Sequence, residues 1–242
     1  MKRDYPVNAM TPTVYKDLIR QVVYHKVGHA AAIHLYNRKK RLPVVSFQIV
    51  IKQADCSLNQ SSGNHAVTRD HFTAIVEGGS LINTQPMTLI GSLLHEKDPF
   101  RAAYEADMIN LLVGPLAEAK HIALRDDECF NKNLITVNVL NNYGGSSDLE
   151  KVYEYLEYFG KDVNQQEEKL AELFNQAFQF VESRGHWQAI ERLAAYIFNN
   201  MKNIIHFEEA IAVLDGNAII VDHQKHAGPE KKKHSVQNSI LK

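Results

Sequence analysis

The chain has 242 residues, 45% apolar and 23% charged, enough apolar material for a sizeable core in one or two domains. Its formal net charge of −1 gives no global field toward nucleic acid or an anionic membrane surface. No apolar run approaches the roughly 20 residues of a membrane span, and the first residues lack the apolar core of a signal peptide.

The two cysteines, Cys56 and Cys129, stand in no metal-ligand spacing. Unpaired thiols fit a reducing compartment, so a soluble cytoplasmic protein is expected. Steps of three and four residues (Val14, Leu18, Val22, His25, His29, Ile33) predict a helix from Thr13 to about Tyr36, ended by Lys39-Lys40-Arg41-Leu42-Pro43. Val44 to Lys52 reads as a strand, residues 53–71 as a polar loop, and Thr73 to Ile82 as a second strand broken at Gly78-Gly79. Met87 to Leu94 fits strand and helix equally well. A long helix is expected over residues 99–124. Ser146-Ser147-Asp148 reads as the cap of a helix that reaches Phe159 and stops at Gly160.

Two further helices, about 163–184 and 186–202, hinge at Arg184-Gly185, and a short one covers 207–214. The polar, basic residues 223–242 are expected to form a disordered tail on a domain spanning 1–222. Lys231-Lys232-Lys233 carries no interleaved aromatic residues, which makes it a solubilising run rather than a nucleic-acid contact. The fold class that follows is α+β, mainly α. A small sheet should pack near the first helix, with a helical group at the C-terminal end.

The chemistry concentrates in His25-Lys26-Val27-Gly28-His29. Two histidines four apart on a helix point the same way, as in the H-E-x-x-H zinc-protease signature. In that signature the glutamate deprotonates metal-bound water. Here the spacing is intact but the glutamate is replaced by Lys26. A protonated ammonium accepts no proton, and its charge opposes a neighbouring dication.

Two further segments follow in order: Leu111-Leu112-Val113-Gly114-Pro115-Leu116-Ala117-Glu118-Ala119, and Gly144-Gly145-Ser146-Ser147-Asp148-Leu149-Glu150. Together with the first motif they resemble the peptidase domain of FtsH-type ATP-dependent zinc proteases. The signatures of that family read approximately H-E-A-G-H-A, L-L-G-G-R-A-A-E-E and G-A-S-N-D-L-E-R. The resemblance covers roughly residues 12–215, with Trp187 to Ala194 and Glu208-Glu209 similar to the family's C-terminal helices. It implies a metallopeptidase-like helical fold, with zinc held by His25, His29 and Asp148, one ion per chain. It also implies that Glu118 could orient a ligand histidine from behind, unless it is an ordinary solvated helix residue. Pro115 stands at the place of a family arginine, and no Walker-type glycine-rich loop supplies an ATP site.

General-base catalysis contributes about 10²–10⁴-fold in rate, so Lys26 predicts little or no peptidase activity. Three readings remain open at this level. One is a zinc-binding pseudo-protease that serves as a binding or regulatory module for a protein or peptide partner, with oligomerisation open. Another is an active metal-dependent hydrolase that uses Lys26 or a different base. The third is a metal-free structural protein in which Lys26 pairs with Asp148 or Glu118. His34 should point away from the pair, and His65 and His71 read as solvated loop residues.

Overall fold

The computed structural model describes residues 12–53, 72–84, 99–160, 162–200 and 202–217. The periodic run at the start forms α1 (Pro12–Ala31), which continues unbroken through a π-helical turn, Ala32–Tyr36, and a last turn, Asn37–Lys39. Periodicity predicts one uniform helix here. A single wide turn hardly moves the apolar stripe, and Ile33, Leu35 and Tyr36 all stay buried, so the π turn leaves no mark on the pattern. Arg41, at φ 56°, and a hydrogen bond from the Leu42 N–H to the Asn37 carbonyl (2.9 Å) end the rod before Pro43.

The sheet has three antiparallel strands in the order β2-β1-β3. Its centre, β1 (Phe47–Gln53), starts later than predicted, with Val44 exposed ahead of it. It pairs with β2 (Phe72–Gly78) from Phe47 opposite Gly78 to Gln53 opposite Phe72. On its other side lies β3 (Ile204–Ile205), which is too short to show a period in the sequence. The second strand stops at Gly78-Gly79 and does not reach Ile82. The segment Leu81–Thr84 is a short helix, α2, whose first N–H groups are taken by the buried Asp107 carboxylate (Leu81 at 2.9 Å, Ile82 at 3.1 Å).

The long helix α3 (Pro99–Arg125) lies against α1. They cross at Gly28, where an added Cβ would come within 2.7 Å of the Ala117 Cβ and 2.9 Å of the Val113 carbonyl oxygen. Only a glycine allows so close an approach, and it brings the histidine face of α1 onto α3. A 3-10 stretch, Val137–Tyr143, leads to α4 (Ser146–Leu156), which a 3-10 turn extends through Glu157–Phe159 to Gly160.

Then come α5 (Val163–Glu182), capped by Asp162 accepting from the Asn164 N–H at 3.0 Å, and α6 (Arg184–Asn200). The break between them falls at Ser183. The last described helix is α7 (Phe207–Leu214). The fully buried Leu112 and Leu116 of α3, Leu173 of α5, Ile190 and Leu193 of α6 and Ile49 of β1 belong to one apolar core. The polar loop, the Met87 to Leu94 segment and the basic tail lie outside the described residues.

A stack of rings joins α1, α3 and α6. Tyr24 lies 3.9 Å from His121, nearly parallel, and 5.7 Å from Trp187. The buried His121 Nε2 has no hydrogen-bond partner. Burial, reinforced by the charges of Arg125 and Arg20, pushes the His121 pKa down to about 4. An unfolded histidine binds a proton near pH 6.5, so this group's stabilisation is lost as pH falls from about 6.5 toward 4. His121→Phe keeps the stack and should lose less thermal stability than the unaltered protein between about pH 7 and 4.5. Identical losses in thermal melts would remove His121 from the acid response.

Candidate metal centre

The helical period places His25 and His29 one above the other in the middle of α1. Both are buried, with ring centroids 4.8 Å apart. Asp148 approaches from the first turn of α4, its Oδ2 3.0 Å from His25 Nε2 and its Oδ1 3.6 Å from His29 Nε2. One ligand atom from each of the three lies within 4.8 Å of the others. Two imidazole nitrogens and a carboxylate facing one point form a group that could hold a metal ion.

Groups behind the histidines fix this orientation. His25 Nδ1 is 3.0 Å from Glu118 Oε2 and 3.1 Å from the Tyr143 carbonyl, while His29 Nδ1 donates to the Asn110 carbonyl at 2.8 Å. Each ring thus commits Nδ1–H away from the centre and presents Nε2 to it, the arrangement that metal-ligating histidines adopt. Glu118 is buried against His25, so it is not a solvated helix residue.

The loop before α4 makes the Tyr143 contact possible. Gly144, at φ 70°, turns the chain through a left-handed conformation that a side chain would oppose, directly beside Glu118 and His25. The N-cap of α4 is Gly145, with no side-chain cap, which corrects the reading of Ser146-Ser147-Asp148 as the cap. Asp148 lies inside the first turn and gives its carboxylate to the histidines instead. The helix can forgo it because Gly145 already packs on Pro115 and returns its own N–H to the Leu140 carbonyl at 3.1 Å.

The electrostatics separate the two histidines. Burial alone would lower the pKa of His25, but its hydrogen bonds to Asp148 and Glu118 prevail and raise it. Burial lowers that of His29, and the Asp148 charge offsets this only in part. Burial would also raise the pKa of Asp148, yet His29 and His25 beside it hold the carboxyl well below the usual carboxylate range. Without a metal, the centre therefore favours placing a proton on His25 rather than on His29.

Lys26 is half-buried on the wall of a cleft of about 260 Å³ that opens over His29 and Asp148. Among the described residues it enters no ion pair. The carboxylates that a metal-free fold would have offered it, Asp148 and Glu118, are held by His25.

His34 points elsewhere, contacting Asp215 Oδ1 at 3.0 Å, while Arg38 donates to the same oxygen at 2.8 Å. This cluster ties the end of α1 to the residue after α7. His65, His71 and Cys56 lie outside the described residues, and Cys129 is exposed with a free thiol. The residues that motif reading missed are Asn110 and Tyr143. They act through backbone carbonyls, which every residue has, so side-chain identity gave no signal.

Among the described residues, no helix is long and apolar enough to cross a membrane. No protein-family model and no curated protein matches the sequence.

Proposed function

We propose that this chain is a metal-holding, non-hydrolytic relative of the FtsH-type peptidases that serves as a binding or regulatory module. One observation carries the reading: His25, His29 and Asp148 converge as a ligand set while Lys26 occupies the cleft beside them. A bound divalent ion would supply positive charge and an open coordination position at the base of the cleft. Zinc suits two imidazoles and a carboxylate, and other divalent ions accept the same donors.

Lys26 offers no lone pair to a water proton while it is charged, so the step that makes a peptidase hydrolytic has no base at this position. A protein or peptide partner is the natural occupant of the cleft. Both Ile75 and Val76 of β2 line it, although neighbouring side chains on a strand point opposite ways. A wall containing both is a strand edge, and among the described residues no strand pairs with that edge of β2.

The test is metal content together with cleavage of unfolded casein. About one zinc per chain is expected in protein purified without added metal, with no chelator-sensitive cleavage. Lys26→Glu should raise cleavage by at least about 100-fold, the low end for a restored general base. Chelator-sensitive cleavage by the unaltered protein would move the assignment to a hydrolase using another base. Refusal of zinc by the unaltered protein would move it to a metal-free structural role.

A further inference from the structure

The charged groups facing the cleft are Lys26, Asp107, Asp148 and Lys151. Three of the four are already engaged. The Asp107 carboxylate receives the Ser80 hydroxyl at 2.7 Å and two backbone N–H groups of α2. Asp148 faces the two histidines, and Lys151 bonds Glu154 at 2.8 Å. Among the described residues only Lys26 of the four has no ion pair or hydrogen bond.

A second residue lining the cleft also carries an unengaged group. Asn110, on α3, is 95% buried (5% exposed), and neither the oxygen nor the nitrogen of its side-chain amide has a partner. Leaving such a group unpaired is costly, and a ligand in the cleft that Asn110 lines would supply the missing bonds. The ammonium of Lys26 needs an anionic acceptor. The amide of Asn110 needs one acceptor for its N–H and one donor for its carbonyl.

We propose that Lys26 and Asn110 form a receptor for a carboxylate, supplied by the free C-terminus of an extended peptide ending in an apolar residue. The proposal rests on the peptide-binding reading above and names the part of the partner that the cleft recognises. A C-terminal residue carries both features that the two side chains lack, an α-carboxylate to accept and its own N–H to donate. The carboxylate of an internal Asp or Glu lies farther from its own N–H and is followed by more chain. Ile33, Ile75, Leu111 and the Tyr155 ring give the last side chain an apolar wall.

The volume, about 260 Å³, is small beside the roughly 300–1,000 Å³ of sites that enclose a drug-sized ligand, and fits the end of a chain. Lys26 therefore changes the task of the position. A residue that would activate water becomes one that holds an anion beside a cationic centre.

The test is calorimetric titration of the full-length protein with acetyl-Ala-Ala-Leu bearing a free C-terminus, with the same peptide amidated, and with 4-methylpentanoate. The zinc content of each sample is measured in parallel. The free acid should bind at least about tenfold more tightly than the amide, as a charge-assisted hydrogen bond warrants. Lys26→Met should erase that ratio. Asn110→Leu, which replaces an unpaired amide by an apolar group of similar shape and so spares the fold, should erase the preference of the peptide over 4-methylpentanoate.

Equal affinity for acid and amide overturns the proposal. Binding of 4-methylpentanoate as tight as that of the peptide overturns the peptide assignment and gives the site to small acids. Zinc present with no acid preference refutes the receptor and leaves the metal reading standing. An acid preference in protein that takes up no zinc does the reverse.

Discussion

Stripped of metal, the protein is expected to lose thermal stability as pH rises above about 6.5, and loaded with zinc it is expected to gain over the same range. The opposite signs follow from His25 and Asp148. The folded pKa of His25 is raised above its ordinary 6.5, so its stabilisation is complete below 6.5 and lost as pH rises through the folded value. The folded pKa of Asp148 is depressed below 3.8, so its share is present above 3.8 and lost as pH falls through the folded value. The metal-free pair therefore contributes most between about pH 4 and 6.5.

An ion must displace the proton on His25 Nε2, which faces Asp148 at 3.0 Å. Zinc affinity should thus rise with pH, and zinc uptake should release protons in a weakly buffered titration. Zinc uptake without proton release would show that His25 is not the protonated ligand. Asp148→Ala should abolish uptake and leave the His25 charge without its main partner. Breaking a buried pair in this way costs about 3 kcal/mol, roughly 6–12 °C in Tm for a chain of this size.

Gly114→Ala is the second large effect, and it acts through space rather than charge. A Cβ on Gly114 would lie 2.3 Å from both Cε1 and Nε2 of His29. The ring has no free retreat, because Nδ1 is tied to the Asn110 carbonyl at 2.8 Å and the residue is buried. Overpacking of this kind costs about 1–3 kcal/mol, and displacing a ligand ring should weaken zinc binding at least about tenfold.

Gly185→Ala is the matching control. Nothing lies within 4 Å of the added carbon, which sits in the first turn of α6. It should leave metal binding unchanged and stabilise by up to about 1 kcal/mol, since alanine loses less backbone entropy on folding. Retention of both zinc and Tm by Gly114→Ala would mean that α3 does not pass so close to His29.

Much of the fold was legible because amphipathic helices carry their own period. α1, α3, α5, α6 and α7 begin and end within a few residues of the positions that spacing and breakers predict. Departures occur where a local pattern carries no tertiary information. β3 has two residues and exists because β1 leaves an edge beside it. The π turn after α1 preserves the buried stripe and so cannot be seen in it. Asp148 has the residue type and position of a helix cap, and only the presence of His25 decides that its carboxylate turns inward.

The sequence by itself determined that His25 and His29 share a helix face, that a lysine, Lys26, stands between them, and that the chain is mainly helical. These are properties of neighbours along the chain, set by the helical period and by side-chain chemistry. Tertiary structure decided that the Asp148 carboxylate, 123 residues from His25, lies 3.0 Å from its ring, and that Glu118 is buried behind His25 rather than solvated. It also decided that Lys26 and Asn110, whose side-chain amide is unpaired, line the same cleft. The glycines at the crossing of α1 and α3 set the distance at which those groups meet. That distance depends on how two helices pack, which no periodicity along either one encodes.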